Sequence, residues 1–205
     1  MRLYRPGLIF RILYPAALCS ETPGNNTLYL TFDDGPVMGS TERILEILGK
    51  YGIKAMFFCT GGQAEKHPDL KDRIISEGHL VGNHGYRHID GLRCSAPAFV
   101  KNAEDADSLT SGKFFRPPYG RMSLTQYRTL AAKYRIVLWD LMSYDFDMRS
   151  TSDRVLWSLL TKIRDGSLIV LHDKIDSHVQ VILEDFILKS KAMGYSFGLP
   201  ASLSE

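Results

Sequence analysis

From residue 28 onward the chain alternates short apolar segments with helix-patterned ones, about seven times without a break. Residues 28–32 read as a strand, and Ser40-Thr41-Glu42 then opens a helix carrying Ile44, Leu45, Ile47 and Leu48 that stops at Gly49 and Gly52. Residues 54–58 form the next strand, and His67-Pro68-Asp69 starts a helix running through Leu70, Ile74 and Ile75 to Gly78. Further strands are expected at 79–83, 113–116, 136–139, 167–171 and 195–197, with helices over 97–109, 123–134, 152–163 and 178–193. Strands joined through helices pair in parallel, and this many in one unit favour closure over an open sheet. The expected fold is α/β, a distorted (β/α) barrel of about seven parallel strands in a single domain.

The 205 residues, 44% hydrophobic and 23% charged, supply one ordinary core. A net charge of +2 is too small to imply nucleic acid, and the Lys and Arg residues are scattered along predicted helices. Cys19, Cys59 and Cys94 are odd in number and widely spaced, which signals neither a disulfide framework nor a thiolate metal site. The start, Met1-Arg2-Leu3-Tyr4-Arg5 followed by an apolar run to Cys19, has the outline of an export signal, but Arg11 and Pro15 break it and no cleavage site follows. Residues 1–26 are therefore read as an N-terminal extension packing across the bottom or side of a domain spanning 27–205. No stretch approaches the ~20 apolar residues of a spanning helix. The lack of a clear export signal favours a cytoplasmic location, with the cell envelope as the alternative, and a monomer is expected.

Parallel barrels place ligand sites at the carboxyl ends of their strands, and the polar residues cluster there. Asp33 and Asp34 follow the first strand, His84 and His88 the third, Arg116 through Gly120 the fourth, Asp140 and Asp145 the fifth, and His172-Asp173 the sixth. Two adjacent carboxylates repel, so a cation or shared proton must compensate them. Asn83-His84-Gly85-Tyr86-Arg87-His88 offers two imidazoles four positions apart, close enough to share one ion. A carboxylate with two histidines suits Zn2+, with Co2+, Mn2+ or Fe2+ as alternatives.

These residues carry a resemblance. Thr31-Phe32-Asp33-Asp34-Gly35, His84-Gly85-Tyr86-Arg87-His88, Arg116-Pro117-Pro118-Tyr119-Gly120 and Leu171-His172-Asp173 resemble, in order, four motifs of the polysaccharide deacetylases of carbohydrate esterase family 4, the NodB homology group of chitooligosaccharide, chitin and peptidoglycan deacetylases. The similarity runs from about residue 29 to 197, so 27–205 reads as a NodB-like catalytic domain. The resemblance implies one catalytic divalent ion and hydrolysis of N-acetyl groups on N-acetylglucosamine-containing glycans. It implies Asp34, His84 and His88 as metal ligands, Asp33 as general base toward metal-activated water, and His172 as general acid. It further implies Arg116 as the partner of Asp33, the Tyr119 backbone N–H as an oxyanion donor, and Leu171 as lining for the acetyl methyl.

The family's fourth motif is degenerate: Met142-Ser143-Tyr144-Asp145-Phe146 lacks the first Asp and the Trp. Asp145 and Asp140 are both candidates to tune His172, and the sequence does not choose; Phe146 offers a sugar an apolar wall. Gly85 replaces a Ser or Thr, which removes a hydroxyl. His67, His79 and His178 are expected to be structural, Cys59 to be packing, and Trp139 and Trp157 to be core anchors. Two alternatives stay open: the same chemistry on a small non-sugar amide, and a catalytically inactive glycan-binding module.

Overall fold

The computed structural model describes residues 3–110 and 112–203, so Met1 and Arg2 of the basic start, and Ser204 and Glu205 at the end of the expected domain, lie outside the described residues. Its strands are β1 (Thr27–Asp33), β2 (Met56–Cys59), β3 (Leu80–Asn83), β4 (Phe114–Phe115), β5 (Arg135–Ile136), β6 (Leu141–Met142), β7 (Leu168–His172) and β8 (Ser196–Phe197). They pair in the order β5-β4-β3-β2-β1-β7-β6, with β8 on the start of β1, and every one of these pairings is parallel. The sheet curls into a distorted β/α barrel, as the alternation implies.

The expected fifth strand, 136–139, differs in form. Its stretch of chain pairs with β4 at Arg135–Ile136 and with β7 at Leu141–Met142, so the two ends of the curled sheet belong to one continuous segment. Residues 137–140 between them turn partly to Leu18, which pairs with Val137. The period-two pattern cannot show such a split, because apolar residues continue through it.

Helices α1 (Leu8–Leu13), α2 (Thr41–Lys50), α3 (Gly61–Lys66), α4 (Pro68–Ser76), α5 (Ala96–Glu104), α6 (Leu124–Ala131), α7 (Ser152–Lys162) and α8 (Val179–Ala192) fill the connections. The sequence reading misses α3 because Gly61-Gly62 look like a breaker. Those glycines instead let the helix start press on the 85–86 loop: their N–H groups donate to the Gly85 and Tyr86 carbonyls at 2.9 and 3.0 Å, and a Cβ on Gly61 would sit 2.7 Å from the Tyr86 ring.

Side chains alternate along the strands as a pleat requires. Leu28, Leu30 and Phe32 of β1 and Phe57 and Cys59 of β2 join Ile44, Leu45, Leu156 and Phe186 under the helices. Met56 and Phe58 face the other way, into a cluster with Phe114, Val137 and Leu168. Trp157 is corrected from core anchor to surface residue, being 63% exposed; on α7 the buried positions are Val155, Leu156, Ser158 and Leu159. Among the described residues no helix is long and apolar enough to cross a membrane.

Candidate active site

Asp33 closes β1 facing inward, and by strand alternation Asp34 would face the helices. It does not, because Asp34 adopts φ 81°, a left-handed conformation that breaks the alternation and turns the second carboxylate toward the same pocket. The conformation is costly for a residue with a Cβ and persists because its surroundings hold it. Asp173 supplies part of that hold. Its N–H donates to the Asp33 carbonyl at 2.8 Å, its carboxyl accepts from Ser40 and Thr41 at 2.5 and 2.6 Å, and it fills the space beside Gly35, where a Cβ would lie 2.1 Å from Oδ2. Burial raises the Asp173 carboxyl to about 6.

Asp34 Oδ1 lies 3.5 Å from His84 Nε2 and 3.2 Å from His88 Nε2, and one donor atom from each of the three falls within 4.8 Å of the others. That Oδ1 is buried without a hydrogen-bond donor, a costly state for a carboxylate unless a cation completes it. His84 Nδ1 sits 2.8 Å from the Arg116 carbonyl, so it donates there and leaves Nε2 with its lone pair facing Asp34. Burial, followed by the neighbouring His84, lowers His88 to about 4, which keeps its imidazole neutral and able to ligate. Burial alone would raise the Asp34 carboxyl, but His84, His172, His88 and Lys174 together hold it well below the usual carboxylate range. The donor set fits a divalent ion.

The loop carrying the two histidines is clamped by a residue the motif does not contain. Asn102 accepts from Arg87 N–H and donates to the Arg87 carbonyl, both at 2.9 Å, and its own carbonyl accepts from Tyr86 N–H at 2.8 Å. Its side chain occupies the space beside Gly85: a Cβ there would meet Nδ2 at 2.4 Å, and Gly85 has φ 77°. The glycine therefore does more than delete a hydroxyl.

Arg116, fully buried, donates to Asp33 Oδ1 at 2.6 Å, to Thr31 Oγ1 at 2.7 Å, and to the Val137 and Leu138 carbonyls at 3.2 and 2.8 Å. Asp33 is thus held by a guanidinium while Asp34 faces the imidazoles. Tyr119 has φ 59°, and among the described residues nothing accepts from its N–H. Next to it Gly120 packs on Trp139, where a Cβ would meet the ring at 2.3 Å.

On the other side of the pocket His172 Nδ1 is 2.7 Å from Asp145 Oδ1, and His172 N–H donates to Oδ2 at 2.8 Å. Ser143 and Ser177 each donate to Asp145 at 2.5 Å. Burial would lower the His172 imidazole, but the Asp145 carboxylate holds it above its ordinary value. Asp140 takes no part: it pairs with Arg164 and accepts from Ser167 at 2.7 Å, away from the imidazole. Of the two candidates, Asp145 is the one in contact.

Leu171 is corrected. It pairs in register with Phe32 and packs under the helices with Ile44 and Leu183, so it does not line the pocket. Residues two apart share a strand face, and Val170 is the neighbour on the side of Phe115 and Trp139. Phe146 is 44% exposed and stands edge-on to His172 at 4.7 Å. The pocket, of about 360 Å³, is lined by Asp33, Asp34, His84, His88, Arg116 and His172 and rimmed by Leu3, Phe10, Tyr144 and Lys174. Leu3 and Phe10 belong to the N-terminal extension, which reaches the pocket rather than lying only across the bottom or side. His79 accepts from Ala55 N–H at 3.1 Å and His178 faces Ser152 at 3.0 Å, both in contacts of their own. Burial raises the Cys59 thiol, which leaves it unreactive.

Residues 20–138, more than half of the chain, match the family profile of polysaccharide deacetylases. A chitooligosaccharide deacetylase from Rhizobium leguminosarum bv. trifolii is 31% identical over 172 residues, covering 77% of this chain and 79% of that protein. A solved peptidoglycan N-acetylglucosamine deacetylase, in complex with an N-oxidanyl-benzamide, superposes with a TM-score of 0.85 at 29% identity, covering 92% of each chain. A mutant of a carbohydrate esterase family 4 pseudoenzyme, with restored enzymatic activity, superposes at a TM-score of 0.81 and 25% identity, covering 98% of this chain and 75% of that one. The profile match and the shared fold, together with four motifs whose side chains meet in one pocket, lead to one assignment: this chain belongs to the polysaccharide deacetylase family.

Proposed function

We propose that this chain is a metal-dependent hydrolase that removes N-linked acetyl groups from N-acetylglucosamine-containing glycans of the chitooligosaccharide or peptidoglycan type. The observation that carries the reading is the convergence of the Asp34, His84 and His88 donor atoms within 4.8 Å, in a pocket that also holds Asp33 and His172. When bound, a divalent ion, Zn2+ before Co2+, Mn2+ or Fe2+, supplies Lewis-acid polarisation and makes water more acidic.

The chain's own groups do the rest. Asp33, held in place by the Arg116 guanidinium at 2.6 Å, is the base that takes a proton from attacking water. The Tyr119 N–H, held by two prolines and a left-handed φ, donates to the oxyanion as it forms. His172, held above its ordinary value by Asp145, carries the proton that the departing amine needs. Phe146 gives the sugar an apolar face to lie on. In this reading residues 27–205 form the catalytic unit and the extension before them contributes rim residues. Complete base, acid and ligand sets count against a purely binding module.

The test is acetate release from chitooligosaccharides and peptidoglycan fragments by the purified chain, with chelator and with added Zn2+. Release that disappears with chelator and returns with metal supports the reading. No release from either glycan class with metal bound would overturn it.

A further inference from the structure

Lys174 follows His172 and Asp173 and enters the pocket against the candidate metal site. Its Nζ lies 2.7 Å from Asp34 Oδ2, while the two imidazoles lie against Oδ1. The two carboxylate oxygens thus face different groups, Oδ2 the ammonium as an ion pair and Oδ1 the imidazoles, and neither accepts a hydrogen bond. The lysine side chain is 43% exposed, and it is the backbone beneath it that the loop holds in place. Its N–H donates to the His172 carbonyl at 3.0 Å, and its own carbonyl accepts from Ser177 N–H and Gln180 Nε2, both at 3.2 Å. Its partner carboxylate is buried, so the attraction acts with less screening than at an open surface.

We propose that Lys174 is a positioning residue of the metal site: its ammonium, paired with Asp34 Oδ2, would orient that carboxylate and compete with a bound ion for the carboxylate's charge. The proposal rests on the metal reading above. Two consequences follow from electrostatics. A positive charge beside the site weakens binding of another cation, so the wild-type protein holds its ion less tightly than the donor set alone would allow. A carboxylate already shared with an ammonium also donates less charge to the ion, which keeps the ion a stronger Lewis acid. Affinity and turnover are thereby set against each other.

The experiment is titration of the metal-free full chain with Zn2+ under chelator competition, for wild type, Lys174→Met and Lys174→Arg, with kcat on a chitooligosaccharide measured at saturating metal. Lys174→Met should tighten the Zn2+ Kd by roughly tenfold or more while kcat falls several-fold, and Lys174→Arg should stay within about threefold of wild type on both. A residue that merely supported the fold would weaken metal binding and turnover together. An unchanged or weaker Kd in a folded Lys174→Met protein, with wild type binding zinc normally, overturns this proposal alone. A wild-type chain that takes up no divalent ion overturns the metal reading beneath it.

Discussion

On the β1 and β3 side of the pocket, Asp34, His84 and His88 converge on one point from two short loops, one braced by Asp173 and the other clamped by Asn102. On the β6 and β7 side, His172 is held by Asp145, whose oxygens take donors from Ser143, Ser177 and the His172 backbone as well as the imidazole. The first half leaves both oxygens of the buried Asp34 carboxylate without a hydrogen-bond donor, and the second gives each oxygen of Asp145 two partners. A site that must receive an ion is built incomplete, whereas a site that must hold a proton in place is built saturated.

Removing a ligand should break the first half outright. His84→Ala or His88→Ala should take metal content from about one ion per chain to near zero and lower activity by ~10³-fold or more. Metal analysis of the purified variants checks this, and occupancy unaffected by both changes would remove the site from consideration.

The two adjacent aspartates sharpen the comparison further. Asp33→Asn should keep the ion and lose at least ~10²-fold in turnover, while Asp34→Asn should lose the ion itself. The opposite pattern would mean their roles are exchanged.

In the second half, His172→Ala should leave metal content unchanged, lower kcat by roughly 10²-fold and abolish the alkaline limb of the pH profile. Asp145→Asn gives a graded version. Asp145 raises the imidazole against burial, so its loss should let burial lower it, and the alkaline limb should move to lower pH. The sign for stability agrees: a raised imidazole contributes stability that is full below its unfolded value, about 6.5, and is lost as pH rises through the folded value. Replacing the fully buried Asp145 should also cost about 3 kcal/mol in denaturant unfolding.

The smallest effect is expected at the donors behind the acid. Ser177→Ala should move the alkaline limb slightly to higher pH, since one hydrogen bond stabilising the charged carboxylate of Asp145 is lost, and should change kcat only a few-fold. A profile identical to wild type would mean that Ser177 adds nothing to the tuning.

The barrel alternation, the strand-end placement of Asp33, Asp34, His84, His88 and His172, and the grouping of ligands were legible along the chain, because strand and helix periods are local and the motif residues lie within a few positions of one another. Within the site, other features were not. Leu171 shares a strand face with Ile169 rather than with His172, so the resemblance that puts both Leu171 and His172 in the pocket conflicts with the alternation of β7. Asp145 and Asp140 stood equal in sequence, and only the path of residues 137–145 put one against the imidazole and the other against Arg164. Asn102 and Lys174 carried no motif at all.

What the sequence determined by itself was the architecture and the set of chemical groups, since both depend on the order and type of residues near one another. What the tertiary structure decided was pairing: Arg116 with Asp33, Asp145 with His172, Asn102 beside Gly85 and Lys174 beside Asp34. Those partners are brought together from separate strand ends and helices, and the strength of an ion pair or hydrogen bond depends on distances and burial that exist only once the strands have closed around them.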